Sequence, residues 1–164
     1  MIRLCSNGHS LLGSGDSIRG NGCCVNEKCL TVPGRFEYLA QIADFIEAVA
    51  RDAGWNDDET YRMQMAVDEA CSNIIEHAYG PDAHGDIELT CCIKDKGDLV
   101  ISIHDNGKPF DPAGVPEPPI GDDLENLPEG GLGLYFMRRL MDEVTFHFDE
   151  RTGNVLTMVK RRPK

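Results

Sequence analysis

Ala66-Val67-Asp68-Glu69-Ala70-Cys71-Ser72-Asn73-Ile74-Ile75-Glu76-His77-Ala78-Tyr79 is the stretch from which the rest of the chain can be read. Met63, Ala66, Val67, Ala70, Ile74 and Ala78 recur at helical spacing and define a buried face. Glu69, Asn73 and His77 stand four residues apart, so on the same helix they form one polar stripe on the shoulder of that face. Asparagine is a poor helix former because its side chain competes for backbone hydrogen bonds. A half-buried asparagine between two ionisable groups therefore points to a specific task, such as holding a metal ion.

Two glycine motifs lie downstream. Leu99 to His104 alternates like a strand and runs into Asp105-Asn106-Gly107-Lys108-Pro109-Phe110, which puts Asp105 at a strand end beside a tight turn. A carboxylate placed there can accept a hydrogen bond from a ligand amine. Gly130-Gly131-Leu132-Gly133 then leads into a helical pattern from Leu134 to Met141. Backbone amides exposed at such a helix start suit phosphate.

In order and spacing, Glu69-x-x-x-Asn73-x-x-x-His77, Asp105-x-Gly107 and Gly131-x-Gly133 resemble the N, G1 and G2 boxes of the GHKL ATP-binding fold, which serves gyrase, Hsp90, histidine kinases and MutL. Within it, the short chain, Glu-Ala-x-x-Asn-Ile-x-x-His-Ala-Tyr and the late Met-Asp-Glu-Val look most like the bacterial anti-sigma-factor serine/threonine kinases. The resemblance covers Leu30 to Arg162. It implies that Asn73 supplies an oxygen to a Mg²⁺ held with the phosphates of ATP, and that Glu69 takes the proton from the attacking group. By the same resemblance Asp105 accepts the adenine amine, Gly107 lets the chain pass close to the base, and Gly131, Leu132, Gly133 and Leu134 offer backbone amides to phosphate. Lys108, Phe110 and Asn154 join the candidate ATP contacts, although Asn154 stands where many members have threonine. His77 is carried as a pocket residue, with a packed structural histidine as the plainer reading.

The implied function is an ATP-dependent protein serine/threonine kinase that acts as an anti-sigma factor. Its partners would be a STAS-domain anti-anti-sigma protein and a sigma factor, and the family alone suggests a homodimer. Between Lys108 and Arg138 there is no Lys or Arg, and Asp111, Glu117, Asp122, Asp123, Glu125 and Glu129 make the segment acidic. Little fixed positive charge is therefore available there to offset a transferring phosphoryl group. That keeps two alternatives open: a nucleotide-gated binding module without phosphoryl transfer, and an ATP-binding domain of a histidine-kinase-like regulator.

The chain of 164 residues fits one domain with a real core. A net charge of -12 argues against direct nucleic-acid binding and for a protein partner with a basic face. No apolar run is long enough to span a bilayer and the start lacks a secretory core, so no membrane association and a cytoplasmic location are expected. Seven cysteines, an odd number, then favour reduced thiols. Cys71, Cys91 and Cys92 read as structural; Cys5, His9, Cys23, Cys24 and Cys29 read as either a zinc set of irregular spacing or a disordered extension.

The expected organisation is a flexible, Cys-containing extension over 1–29 and an ATP-binding kinase domain over 30–164. A short strand at Leu30–Val32 precedes a helix over Phe36–Ala53, and Asn56-Asp57-Asp58-Glu59 caps the long helix that carries the stripe. Asp86–Asp95 and Asp98–Asp105 read as a hairpin turning at Lys96-Gly97. A proline-rich segment leading to the glycines reads as a lid. The helix that follows and two closing strands, Glu143–Asp149 and Asn154–Lys160, complete the α/β (α+β) class. The architecture is a two-layer sandwich, a mixed, mostly antiparallel sheet covered on one face by helices, as in Bergerat-type ATP-binding folds. The basic tail Lys160-Arg161-Arg162-Pro163-Lys164 reads as a solvated end.

Overall fold

The computed structural model describes residues 3–4, 24–80, 84–109 and 132–163. The elements follow in the order β1 (Arg3–Leu4), β2 (Cys24–Pro33), α1 (Leu39–Asp52), α2 (Asp57–Asn73), a π-helical segment (Ile74–Tyr79), β3 (Asp86–Lys94), β4 (Leu99–Asp105), α3 (Leu132–Leu140), β5 (Glu143–Asp149) and β6 (Gly153–Lys160). The strands form one sheet in the order β1-β2-β3-β4-β6-β5. Every pairing is antiparallel among the described residues, a more uniform sheet than the mixed one expected.

Register decides which side chains meet the helices. Leu89 faces Ile103 and Cys91 faces Ile101 across β3 and β4, while Ile101 faces Met158 and Ile103 faces Leu156 across β4 and β6. All six are buried, so alternate positions of neighbouring strands build one continuous apolar face. Helix α1 meets that core with Ile42, Phe45, Ile46, Val49 and Ala50, the i, i+3, i+4 spacing of an amphipathic helix. The side-chain oxygen of Asn56 accepts the amide of Glu59 at 2.8 Å, capping α2 as the sequence predicts. Gly97, at φ 83°, makes the turn between β3 and β4.

Three sequence expectations are corrected. The ordered sheet does not begin at Leu30: β2 starts at Cys24 and pairs along β3 from Lys94 to Asp86. The thiols are not all reduced, because Cys24 is bonded to Cys92 with their Cα atoms 5.6 Å apart, and Cys29 is also disulfide-bonded. Neither can then ligate zinc as a thiolate, and Cys5, His9 and Cys23 lie outside the described residues. Cys71 and Cys91 are free and buried, as expected, and burial pushes both thiols upward. The tail is no solvated end. Arg162 lies over the Trp55 ring at 4.7 Å and donates to the carbonyls of Gly54 and Ala53, and its amide donates to Asp98 at 2.8 Å. Lys160 reaches Glu59 at 2.8 Å and the Leu140 carbonyl at 2.9 Å, tying β6 to α2 and α3.

Candidate functional site

The long helix changes pitch inside the motif. Asn73 is the last α-helical residue, and the amide of Gly80 donates to the Ile75 carbonyl at 3.1 Å, a five-residue bond. Such a segment turns the chain less per residue than an α-helix, so by Tyr79 the side chain has swung well away from the direction α-helical spacing predicts. Glu69 and Asn73 stay together, with their side chains hydrogen-bonded. The His77 side chain is 66% exposed and lies 3.8 Å from Glu76, so it is not packed among the described residues.

Helix α3 packs on α2 and brings the glycine motif to Glu69. A methyl group on Gly133 would meet the Glu69 carboxylate, landing 2.7 Å from its Cδ and 2.8 Å from its Cγ. Only a hydrogen fits between the acid and the first turn of α3. Burial holds the Glu69 carboxyl above the ordinary carboxylate range; Asp68 adds to the rise and the Asn73 hydrogen bond opposes it. Leu132 opens α3, and Leu134 turns its side chain into the core, leaving only its backbone for a ligand.

A second group forms at the end of β4. Asp105 is 5% exposed and sits in register with Asn154 of β6. Its Oδ1 accepts both the Gly107 amide at 2.8 Å and the Asn154 Nδ2 at 2.9 Å. Nδ2 also donates to the Gly107 carbonyl at 3.1 Å. Among the described residues both bonds fall on Oδ1, a pattern that suits Oδ2 to accept from a ligand amine. Gly107 needs to be glycine for a reason the sequence reading did not supply: an added Cβ would sit 2.5 Å from the Ala78 Cβ and 2.8 Å from its carbonyl carbon. Lys108 is exposed, and its amide donates to the Ala78 carbonyl at 3.0 Å. Phe110, Gly131 and the acidic segment read as a lid lie outside the described residues.

This arrangement is an acid-amide pair beside a helix start, together with a buried aspartate whose hydrogen bonds, among the described residues, fall on Oδ1. Residues 32–160 match the family of histidine kinase-like ATPase domains. The chain belongs to that family. It is similar to the serine-protein kinase RsbW of Bacillus cereus strain AH187, 36% identical over 135 residues that cover 80% of this chain and 82% of the relative. The proteins of the same name from Bacillus anthracis and from Bacillus thuringiensis strain Al Hakam match at the same identity and coverage. A solved structure of RsbU and RsbW domains from Mycobacterium tuberculosis has a TM-score of 0.58 at 17% identity, covering 82% of this chain and 33% of that longer one. That likeness speaks to the fold. No described helix is long and apolar enough to cross a membrane.

For a histidine kinase-like ATPase domain, two features of this site went unread in the sequence. Asn154, a candidate ATP contact in the sequence, is also the residue that donates to Asp105, a relation the sequence did not give. Tyr79 enters the sequence reading only as the last residue of the Glu-Ala-x-x-Asn-Ile-x-x-His-Ala-Tyr wording. Its ring is buried, and a polar tip on an aromatic that closes an apolar face was the available signal.

Proposed function

We propose that this chain is an ATP-dependent protein serine/threonine kinase that phosphorylates a STAS-type anti-anti-sigma partner and otherwise holds a sigma factor inactive. The observation that carries the proposal is the Glu69 carboxylate lying against Gly133, where a base and a phosphate-binding helix start share one point. Named serine-protein kinases at 36% identity support the same reading.

The residues fit the nucleotide. The Asp105 side chain is buried and, among the described residues, takes both its hydrogen bonds on Oδ1, which suits Oδ2 to the adenine amine, and Asn73 offers a neutral oxygen of the kind Mg²⁺ accepts alongside phosphates and water. Bound Mg-ATP supplies the γ-phosphoryl group and a cation to neutralise its charge. Glu69 receives the proton of the partner's hydroxyl as that oxygen bonds to phosphorus and the bond to the ADP oxygen breaks. A carboxyl held above its ordinary range is a better proton acceptor once ionised. The amides that open α3 accommodate the phosphates.

The test is incubation with labelled ATP and a cognate STAS protein. Transfer of label to the partner is expected, lost in Glu69→Ala with ATP binding retained, while Asn73→Ala loses Mg²⁺-dependent binding. The absence of Lys and Arg from residues 109–137 favours a second reading, a nucleotide-gated binding module. ATP binding with no label transferred would select it.

A further inference from the structure

Between the two halves of the site stands Tyr79, the last residue of the π-helical segment that begins directly after Asn73. It is 8% exposed and its hydroxyl is engaged on both sides, donating to the Asp86 carbonyl at 2.6 Å and accepting the Asn106 amide at 3.3 Å. Its ring fills a slot that two glycines leave open. A Cβ on Gly34 would fall 2.6 Å from the ring, and one on Gly85 would fall 2.6 Å from the hydroxyl oxygen. Gly34 and Gly85 are themselves joined, amide to carbonyl, at 2.7 Å. The phenol is thus anchored on the β2 and β3 ends and grips the turn that follows Asp105. Ala78 adds to the grip through its carbonyl, which accepts the Lys108 amide, and through its contact with Gly107.

Resting on the ATP-site reading above, we infer that Tyr79 is a positioning residue for adenine recognition: it fixes residues 106–108, and through the Gly107 amide fixes the carboxylate of Asp105. The path is short. Tyr79 holds Asn106, Ala78 holds Gly107 and Lys108, and the Gly107 amide sets Asp105 Oδ1, so that Oδ2 is aimed at the base. The change of helical pitch is part of the device, since it turns Tyr79 toward the β4 end. A phenylalanine would keep the apolar packing and lose only the oxygen.

The inference separates two nucleotides. ATP carries the amine that Asp105 accepts; ITP has a carbonyl in its place and gains nothing from a well-placed carboxylate. Binding of Mg-ATP and Mg-ITP to the full chain is measured by calorimetry for wild type, Tyr79→Phe and Gly85→Ala. Tyr79→Phe is expected to weaken ATP about five- to tenfold while ITP stays within about twofold, the scale of one hydrogen bond lost from a polar network. Gly85→Ala keeps the phenol but displaces its oxygen, and should show the same selective loss even where Tyr79→Phe perturbs folding. Equal losses for both nucleotides would mean a merely structural tyrosine, and unchanged preference for ATP in both variants would overturn the inference alone. A wild type that does not prefer ATP to ITP would instead overturn the adenine site itself.

Discussion

Replacing Gly133 by alanine should separate folding from catalysis. The new Cβ would lie 2.7 Å from Glu69 Cδ and 2.8 Å from Cγ, against about 3.5 Å for comfortable carbon contact, so one partner must move by about 1 Å. The backbone of α3 is packed on α2, whereas the Glu69 carboxylate is the end of a flexible side chain, so the carboxylate yields. Folding should gain slightly, because alanine is favoured over glycine in a helix by about 0.5–1 kcal/mol. Phosphoryl transfer should fall about 100-fold, since a misplacement of about 1 Å in a reacting group costs on that order, or about 3 kcal/mol of barrier. The assay is initial-rate transfer of labelled phosphate to the STAS partner, with ATP affinity and the unfolding midpoint measured on the same preparation. If Gly133 acts through Glu69, the Gly133→Ala, Glu69→Ala double variant is no slower than Glu69→Ala alone. A Gly133→Ala protein that folds, binds ATP and transfers at the wild-type rate would refute the assignment of Glu69 as base.

The raised Glu69 carboxyl makes two statements about pH. Transfer needs the ionised acid, so its rate should climb with pH along a limb displaced above the ordinary carboxylate range, measured as single-turnover rate against pH. Because the folded state holds that proton more tightly than the unfolded chain, stability falls as pH rises through the interval between the two values. Glu69→Gln should therefore raise the unfolding midpoint at about pH 8 more than at about pH 4; an equal change at both would contradict the shift. Asn154→Ala removes the donor shared by Asp105 and the Gly107 carbonyl, both part of a buried network. It should cost about 1–3 kcal/mol in urea unfolding and weaken ATP binding with it, and a change below about 0.5 kcal/mol would show that Asn154 does not hold Asp105.

Local pattern made most of the fold legible. β5 falls where alternation places it, from Glu143 to Asp149, and β3 and β4 differ from expectation by one residue at an end. What stayed hidden is non-local. Residues 24–29 carry no strand signature of their own and become a strand by pairing with β3, more than 60 residues away, as the 68-residue separation of Cys24 and Cys92 illustrates. Arg162 reads as a charged terminus until the fold sets it over Trp55 and the end of α1. The site shows the same division. Glu69, Asn73, Asp105 and Gly133 could be named from motif spacing, but their relations could not, because each crosses from one element to another.

The π-helical segment explains why spacing alone did not reveal Tyr79. Helical spacing assumes one pitch, and a sequence that folds α over its first half and π over its second redirects the later side chains without leaving a mark in composition. The change has a structural consequence. If the α-helical pitch continued past Asn73, Tyr79 would point elsewhere, leaving the Asn106 amide and the Asp86 carbonyl without the hydroxyl that now joins them. With the wider turn, one continuous helix delivers Glu69 to the start of α3 at one level, and Tyr79 to the end of β4 at the next. The two halves of the site are therefore set relative to each other by helical pitch within a single element, and a change that restores α-helical pitch there should disturb both at once.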